Sequence, residues 1–348
     1  MIPILEKYGL RRSDLKYISR DDATAIELIQ GRMNWKGKVG LGVEYKKYEL
    51  QLNRIYKKAL KEKVCYFGPF KGEFGHFLLH NLLFLMHLHH KGVKIHYCGM
   101  SLHQPFMVDS KGNSIVESFT ELRDFFGDIK PSANQNKVPR DINEIIKTWS
   151  REAKGSGRAF FNIDKSDFYW HGLRNWQLEG RQHKYDLSKA YAENQTDSVV
   201  IFPRKKGGEA TPNNGGPWDY MEIARRISPY FEKVYLVGHT SLSAHVVNEG
   251  NIEVKVSTNN ADTLKYCAES KLIVTQHSGA VHLGAYVNKP VLLIYKGQPP
   301  IKGLFDTLRF RKNLTRRGLK YAFSLEEIEK RVVKYSDKEP SAESLVMR

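Results

Sequence analysis

Three short stretches gather residue types that can bind or transform a charged substrate. In PRKKGGEATPNNGGPW, Arg204, Lys205 and Lys206 arrive together and Gly207 follows. Cations beside a residue that lets backbone come close suit a pyrophosphate, with a solvated loop of incidental charge as the alternative. In TQHSGAVHLG, His277 and Ser278 precede Gly279, and a helix starting there would aim its amides from Ala280 and Val281 onward at an anion. His282, four residues after Ser278, falls on the same side of that first turn. In GPFKGEFGH, Glu73 and His76 stand among Gly68, Gly72 and Gly75, which read as a tight strand-to-helix turn. A carboxylate is unfavourable beside a phosphate but well suited to deprotonating a hydroxyl, and either Glu73 or His76 could be that base. Glu73 as a helix-dipole partner and His76 as a packing residue is the competing reading.

Each of these stretches follows an apolar run. From Thr196 onward SVVIFP, KVYLVG, IEVKV, KLIVTQ and VLLIY read as strands, the last of them closing the sheet. Between them PWDYMEIARRISPYF, HTSLSAHVVNEG, ADTLKYCAES and GAVHLGAYVN read as helices. Strands alternating with helices predict right-handed crossovers and a parallel sheet covered on both faces, whose ligands bind beyond the carboxyl ends of the strands. The N-terminal half carries the same pattern more loosely. VCYFGPF, a helix over about residues 74–90 and VKIHYCG form a β-loop-α-β unit, SIVESFTELRDFFG and INEIIKTWSREA read as further helices, and RAFFNI as a strand. Helical character is also expected in DDATAIELIQGRM and YELQLNRIYKKALKEK.

A chain of 348 residues exceeds the usual single hydrophobic core. The expected division is an α/β N-terminal domain over 1–163, a polar and aromatic connection over 164–196, a second α/β domain over 197–323, and a C-terminal helix and tail over 324–348. The net charge of +17 draws polyanions without choosing among nucleic acid, anionic lipid and phosphorylated substrates. The densest basic segment, RFRKNLTRRGLKY, suits contact with an anionic acceptor or membrane surface, or a solvated face. The N-terminus has charges inside its apolar stretch and no small-residue cleavage site, which predicts a cytoplasmic address, with peripheral membrane contact allowed. Cys65, Cys98 and Cys267 lie in apolar runs and read as reduced core thiols. His76 and His80, with His87, His89 and His90, invite a metal hypothesis, but no further ligand stands at zinc-site spacing and no D-x-D element occurs, so no metal is expected.

The run ADTLKYCAESKLIVTQHSGAVHLGAYVNKPVLLIYKG resembles the C-terminal core of heptosyltransferase-like glycosyltransferases (glycosyltransferase family 9) of the GT-B fold. Their pattern is a helix, an apolar strand, a D-[ST]-G-x-x-H turn, a small-residue helix and a G-x-P strand; PRKKGG with Pro217-Trp218 is similar to their basic loop and Trp-Pro helix start. The resemblance implies two Rossmann-like domains with parallel sheets facing a central cleft. It further implies a nucleoside-diphosphate sugar as donor, bound through Arg204 to Gly207 and His277 to His282, and a glycan or glycoconjugate hydroxyl as acceptor. The glycine loop after VCYF is similar to the G-D-x-L loop of these enzymes, with His76 on the acidic position. His277 departs from the family, which carries Asp there. The alternatives are a nucleic-acid or anionic-surface binder, against which the lack of any recognition-helix or RNA-binding signature counts, so that no nucleic-acid partner is expected, and a GT-B nucleotide-sugar epimerase or hydrolase.

Overall fold

A computed structural model describes residues 50–72, 74–125, 138–163, 186–205, 218–257, 259–276, 278–296 and 319–336. They fall into two compact units, one containing 50–163 and the other 186–296 with 319–336.

In the first unit a helix over residues 50–62 (α1) leads into β1, Val64–Phe70. A three-part helix follows (α2): Phe74–His76, a π-helical Phe77–Leu82 and Leu83–His90. Then come β2, Lys94–Met100, and β3, Ser118–Leu122; α3, Arg140–Gly155, leads to β4, Ala159–Asn162. The strands pair in parallel in the order β3-β2-β1-β4. On α3, Ile142, Ile146, Trp149 and Ala153 recur at helical spacing and are buried with Cys98, Met100 and Leu122 in one core cluster.

The second unit opens with a short helix (α4), Ser188–Tyr191, and then alternates: β5 Ser198–Phe202, α5 Tyr220–Ile227, β6 Lys233–Gly238, β7 Ile252–Val256, α6 Asn260–Glu269, β8 Leu272–Thr275, α7 Gly279–Tyr286, β9 Val291–Ile294, β10 Leu319–Ala322 and α8 Leu325–Val332. All pairings in its six-stranded sheet are parallel, in the order β10-β9-β8-β5-β6-β7. The wholly buried runs SVVIF, LIVT and VLLI make its centre, as expected of strands covered on both faces. Helix starts are capped by side chains: Asp219 accepts from the Glu222 amide and Ser324 from the Glu327 amide.

Each sheet starts at an inner strand, winds outward over two strands, and returns to the other side of its start. The reversal falls between β1 and β4 in the first sheet and between β5 and β8 in the second. Such switch points open the crevices in which doubly wound sheets take ligands.

Four sequence expectations are corrected. Residues 239–250 form a turn and an extended return between β6 and β7, without a helix. The His239 carbonyl accepts from the Leu242 and Ser243 amides while its ring Nδ1 accepts from the Ser241 amide, local bonds that compete with a helical ladder. Within SIVESFTELRDFFG, Ser118–Leu122 is a strand. Ile115, Phe119 and Leu122 mimic helical spacing, but residues 118–122 pair in register with β2 from His96 to Met100. The strand VLLIY does not close the second sheet, because β10 continues it from the end of the basic segment, pairing Leu319 with Val291 through Ala322 with Ile294. Gly68 belongs to β1 at an irregularity between Phe67 and Phe70, and Gly75 lies inside α2, so of the three glycines only Gly72 is in the turn. DDATAIELIQGRM lies outside the described residues, whereas the segment beginning YELQ is helical over 50–62.

Candidate functional site

The second unit's switch point brings together the loops after β5 and β8. Pro203 to Lys205 leave β5 in extended form and pair with the return of the β6 loop. Arg204 bridges Ser243, the Lys205 amide donates to the Leu242 carbonyl at 2.9 Å, and the Ala244 amide donates to the Pro203 carbonyl at 2.6 Å. This clip holds the half-buried Arg204 and the exposed Lys205 at the carboxyl edge of the sheet. At Gly238 a Cβ would meet the Ser243 hydroxyl, a side-chain atom that can turn aside, so the clip is shaped by its backbone bonds rather than by this glycine. Trp218, beyond the loop, packs into the unit's main core and anchors the entry to α5. Lys206 and Gly207 lie outside the described residues.

On the neighbouring strand, Ser278 caps α7. Its hydroxyl accepts from the Ala280 amide at 3.3 Å and stands 3.1 Å from the Thr275 hydroxyl, while its carbonyl accepts from the Val281 amide at 3.1 Å. The expectation of open amides from Ala280 onward is therefore corrected: Ser278 engages those of Ala280 and Val281. Those of Ser278 and Gly279 make no hydrogen bond among the described residues and are the donors left at this helix start. His282 is buried one turn into α7, at 5 % exposure, so its ring belongs to the interior of the unit rather than its surface. His277 lies outside the described residues.

A buried pair joins the two loops, and no local sequence signal announces it. The Tyr220 hydroxyl, at the first residue of α5, donates to Gln276 Oε1 at 2.6 Å. The Arg204 backbone amide and the Arg204 charge lie near enough to favour the hydroxyl's ionised form; burial outweighs both and pushes the phenol up from its usual value. One tyrosine thus ties the start of α5, with Arg204 nearby, to the residue that follows β8. Tyr220→Phe would remove the buried donor to Gln276 Oε1, and is expected to cost about 2 kcal/mol of stability. Urea unfolding monitored by circular dichroism measures it; an unchanged midpoint would show that the pair holds nothing.

In the first unit, the loop after β1 carries Lys71 and Gly72 at the strand's carboxyl end, and Phe74–His76 begins α2. His76 is half-buried at the end of that first turn; Glu73 lies outside the described residues. Across the switch point, Asn162 pairs in register with Gly68, and the Ile163 amide donates to the Gly68 carbonyl at 3.2 Å. The other histidines have separate occupations. His87 Nε2 and the Tyr56 hydroxyl stand 2.7 Å apart, His89 and His90 are exposed, and His103 is fully buried. Among the described residues no group of three or more His, Cys, Asp or Glu could hold a metal ion. Cys65, Cys98 and Cys267 are buried free thiols; burial pushes the first two up to about 12 and raises the third. No described helix is long and apolar enough to cross a membrane.

No protein-family profile and no curated protein matches the sequence. Among solved structures, the chain is similar to a glycosyl transferase family 9 protein from Veillonella parvula, with 12% identity over 82% of this chain and 94% of that one, and a TM-score of 0.47. It is similar also to an E. coli heptosyltransferase solved with ADP, with 14% identity over 78% of this chain and 97% of that one, and a TM-score of 0.49. A UDP-N-acetylglucosamine 2-epimerase shows 11% identity over 80% of this chain and 98% of that one, with a TM-score of 0.33.

Proposed function

We propose that the protein is a glycosyltransferase that moves a sugar from a nucleoside diphosphate to an acceptor hydroxyl, the donor being held by the second unit. The observation that carries this reading is the order β8-β5 at the second sheet's switch point, which sets Arg204 and Lys205 beside the Ser278–Gly279 helix start. Cations on one strand end and amide donors on the next suit a diphosphate that gains negative charge as it leaves. The motif run from Ala261 to Gly297, with its likeness to heptosyltransferase-like enzymes, supports the same ligand.

In the reaction the acceptor oxygen attacks the anomeric carbon as the bond from that carbon to the diphosphate oxygen breaks. The acceptor's proton passes to a base, Glu73 or His76, and the electron pair leaves with the diphosphate. Arg204, Lys205 and Lys206 neutralise that leaving group, a role a metal fills in other transferases. The +17 net charge gives the polyanion reading its weight, and a nucleotide screen separates the two.

Nucleoside diphosphates and their sugars, one base class at a time, are to be tested for thermal stabilisation of the protein. The matching class at a hundred times its Kd is expected to add about 2.7 kcal/mol. If no nucleotide stabilises the protein while polynucleotides bind with a steep salt dependence, the transferase reading is wrong. An epimer or free sugar formed from the donor alone, at the rate of transfer, would reassign the protein to the epimerase or hydrolase class.

A further inference from the structure

The chain after β2 turns at once into a 3₁₀ segment, Ser101–Phe106, which carries His103 to the loop that follows β1. The imidazole is wholly buried; it stacks on Phe77 at 4.5 Å between centroids and lies 5.2 Å from the Phe70 ring. Its Nε2 is 2.9 Å from the Gly72 carbonyl oxygen and its Nδ1 is 3.2 Å from the Tyr97 hydroxyl. A carbonyl only accepts, so Nε2 carries the proton and donates, and Nδ1 of the neutral ring accepts from Tyr97. Burial holds the histidine down to about pKa 3, so this tautomer persists at any pH near neutrality. Two glycines make room for the arrangement: a Cβ on Gly99 would collide with the Tyr97 ring and hydroxyl, and one on Gly72 with the Phe70 ring.

Gly72 directly precedes Glu73, and its carbonyl would otherwise have to be satisfied by water or by the loop itself. We infer that His103 is a positioning residue, a neutral clamp that fixes the backbone of Gly72, the residue before Glu73 and shortly before the helix turn that carries His76, the two candidate bases. The inference rests on the transferase reading for what the loop does, and on this geometry alone for how the loop is held. No sequence motif points to it, because the contact joins residues 31 apart.

Two variants separate donation from packing. His103→Phe keeps a ring among Phe70 and Phe77 but removes the donor, whereas His103→Gln can still offer an amide N–H toward Gly72. Hydrogen exchange of the peptide spanning 72–77 is expected to quicken about tenfold in the Phe variant and to return near the wild-type rate in the Gln variant. Transfer kcat should fall about tenfold in the Phe variant and recover in the Gln variant, with nucleoside-diphosphate affinity unchanged in both. Unchanged exchange in a folded Phe variant, or a Gln variant as impaired as Phe, overturns the clamp. Should His103→Phe fail to fold, Tyr97→Phe takes its place, with exchange expected to quicken about threefold; no change there overturns the clamp equally. If exchange responds as expected but no nucleotide sugar is turned over by the wild type, the clamp stands and the transferase reading falls.

Discussion

Arg204→Ala is expected to lower kcat/KM for sugar transfer about a hundredfold while the protein stays folded. A charge-assisted contact to a departing phosphate, made in a site that excludes water, is worth about 3 kcal/mol in the transition state. The variant should fold because the contacts that shape this segment are made by backbone: the bridge to Ser243 and the neighbouring Lys205 and Pro203 bonds. None of these requires the guanidinium. Lys205→Ala, at an exposed position, serves as the graded control, with a loss of about tenfold or less. Steady-state kinetics with the donor identified by thermal shift, alongside thermal unfolding of each variant, makes the comparison. Full activity in a folded Arg204→Ala protein would remove the basic loop from the mechanism. A loss confined to KM would instead assign Arg204 to uniform donor binding.

The features legible in the sequence are those whose physics is local. Runs such as SVVIF and LIVT announce strands because burial on both faces leaves no polar position, and Ile223, Ala224 and Ile227 announce a helix through one apolar face. The same signals place the candidate loops, since each directly follows such a run. What misled was also local. Ile115, Phe119 and Leu122 have helical spacing, yet the partner that makes Ser118–Leu122 a strand is β2, more than twenty residues earlier. Likewise the turn at His239 overrides an apolar pattern through a side-chain bond that periodicity does not encode. Tyr220 with Gln276, and His103 with Gly72, were invisible for a different reason. A buried tyrosine or histidine looks like any core aromatic until the fold supplies its hydrogen-bond partner, here 56 and 31 residues away. Sequence reasoning therefore finds the groups that face a ligand more readily than the buried groups that hold them.

Gly68 illustrates that second class and supports a large effect on stability. It sits in β1 with φ at +135°, a region L-residues rarely enter, and a Cβ there would lie 2.5 Å from the Cys98 carbonyl oxygen and 3.2 Å from the Cys98 amide nitrogen. These are backbone atoms of the adjoining strand, which cannot turn aside as a side chain can. Strain and collision add, so Gly68→Ala is expected to cost about 4 kcal/mol, enough to unfold a domain of ordinary stability in part. Gly92 separates the two contributions. It too has positive φ, at +70°, but nothing lies within 4 Å of its would-be Cβ, so Gly92→Ala should cost only about 1 kcal/mol. Urea unfolding of both variants measures the difference, and equal costs would show that conformation alone, and not the approach of β1 to β2, demands glycine at residue 68. The approach matters for chemistry because it sets the carboxyl end of β1 against that of β2. From those two ends the chain proceeds to Gly72 and to His103, so a side chain at Gly68 would pry apart the two halves of the clamp. A partly folded Gly68→Ala protein is therefore expected to retain nucleoside-diphosphate binding in the second unit while losing transfer.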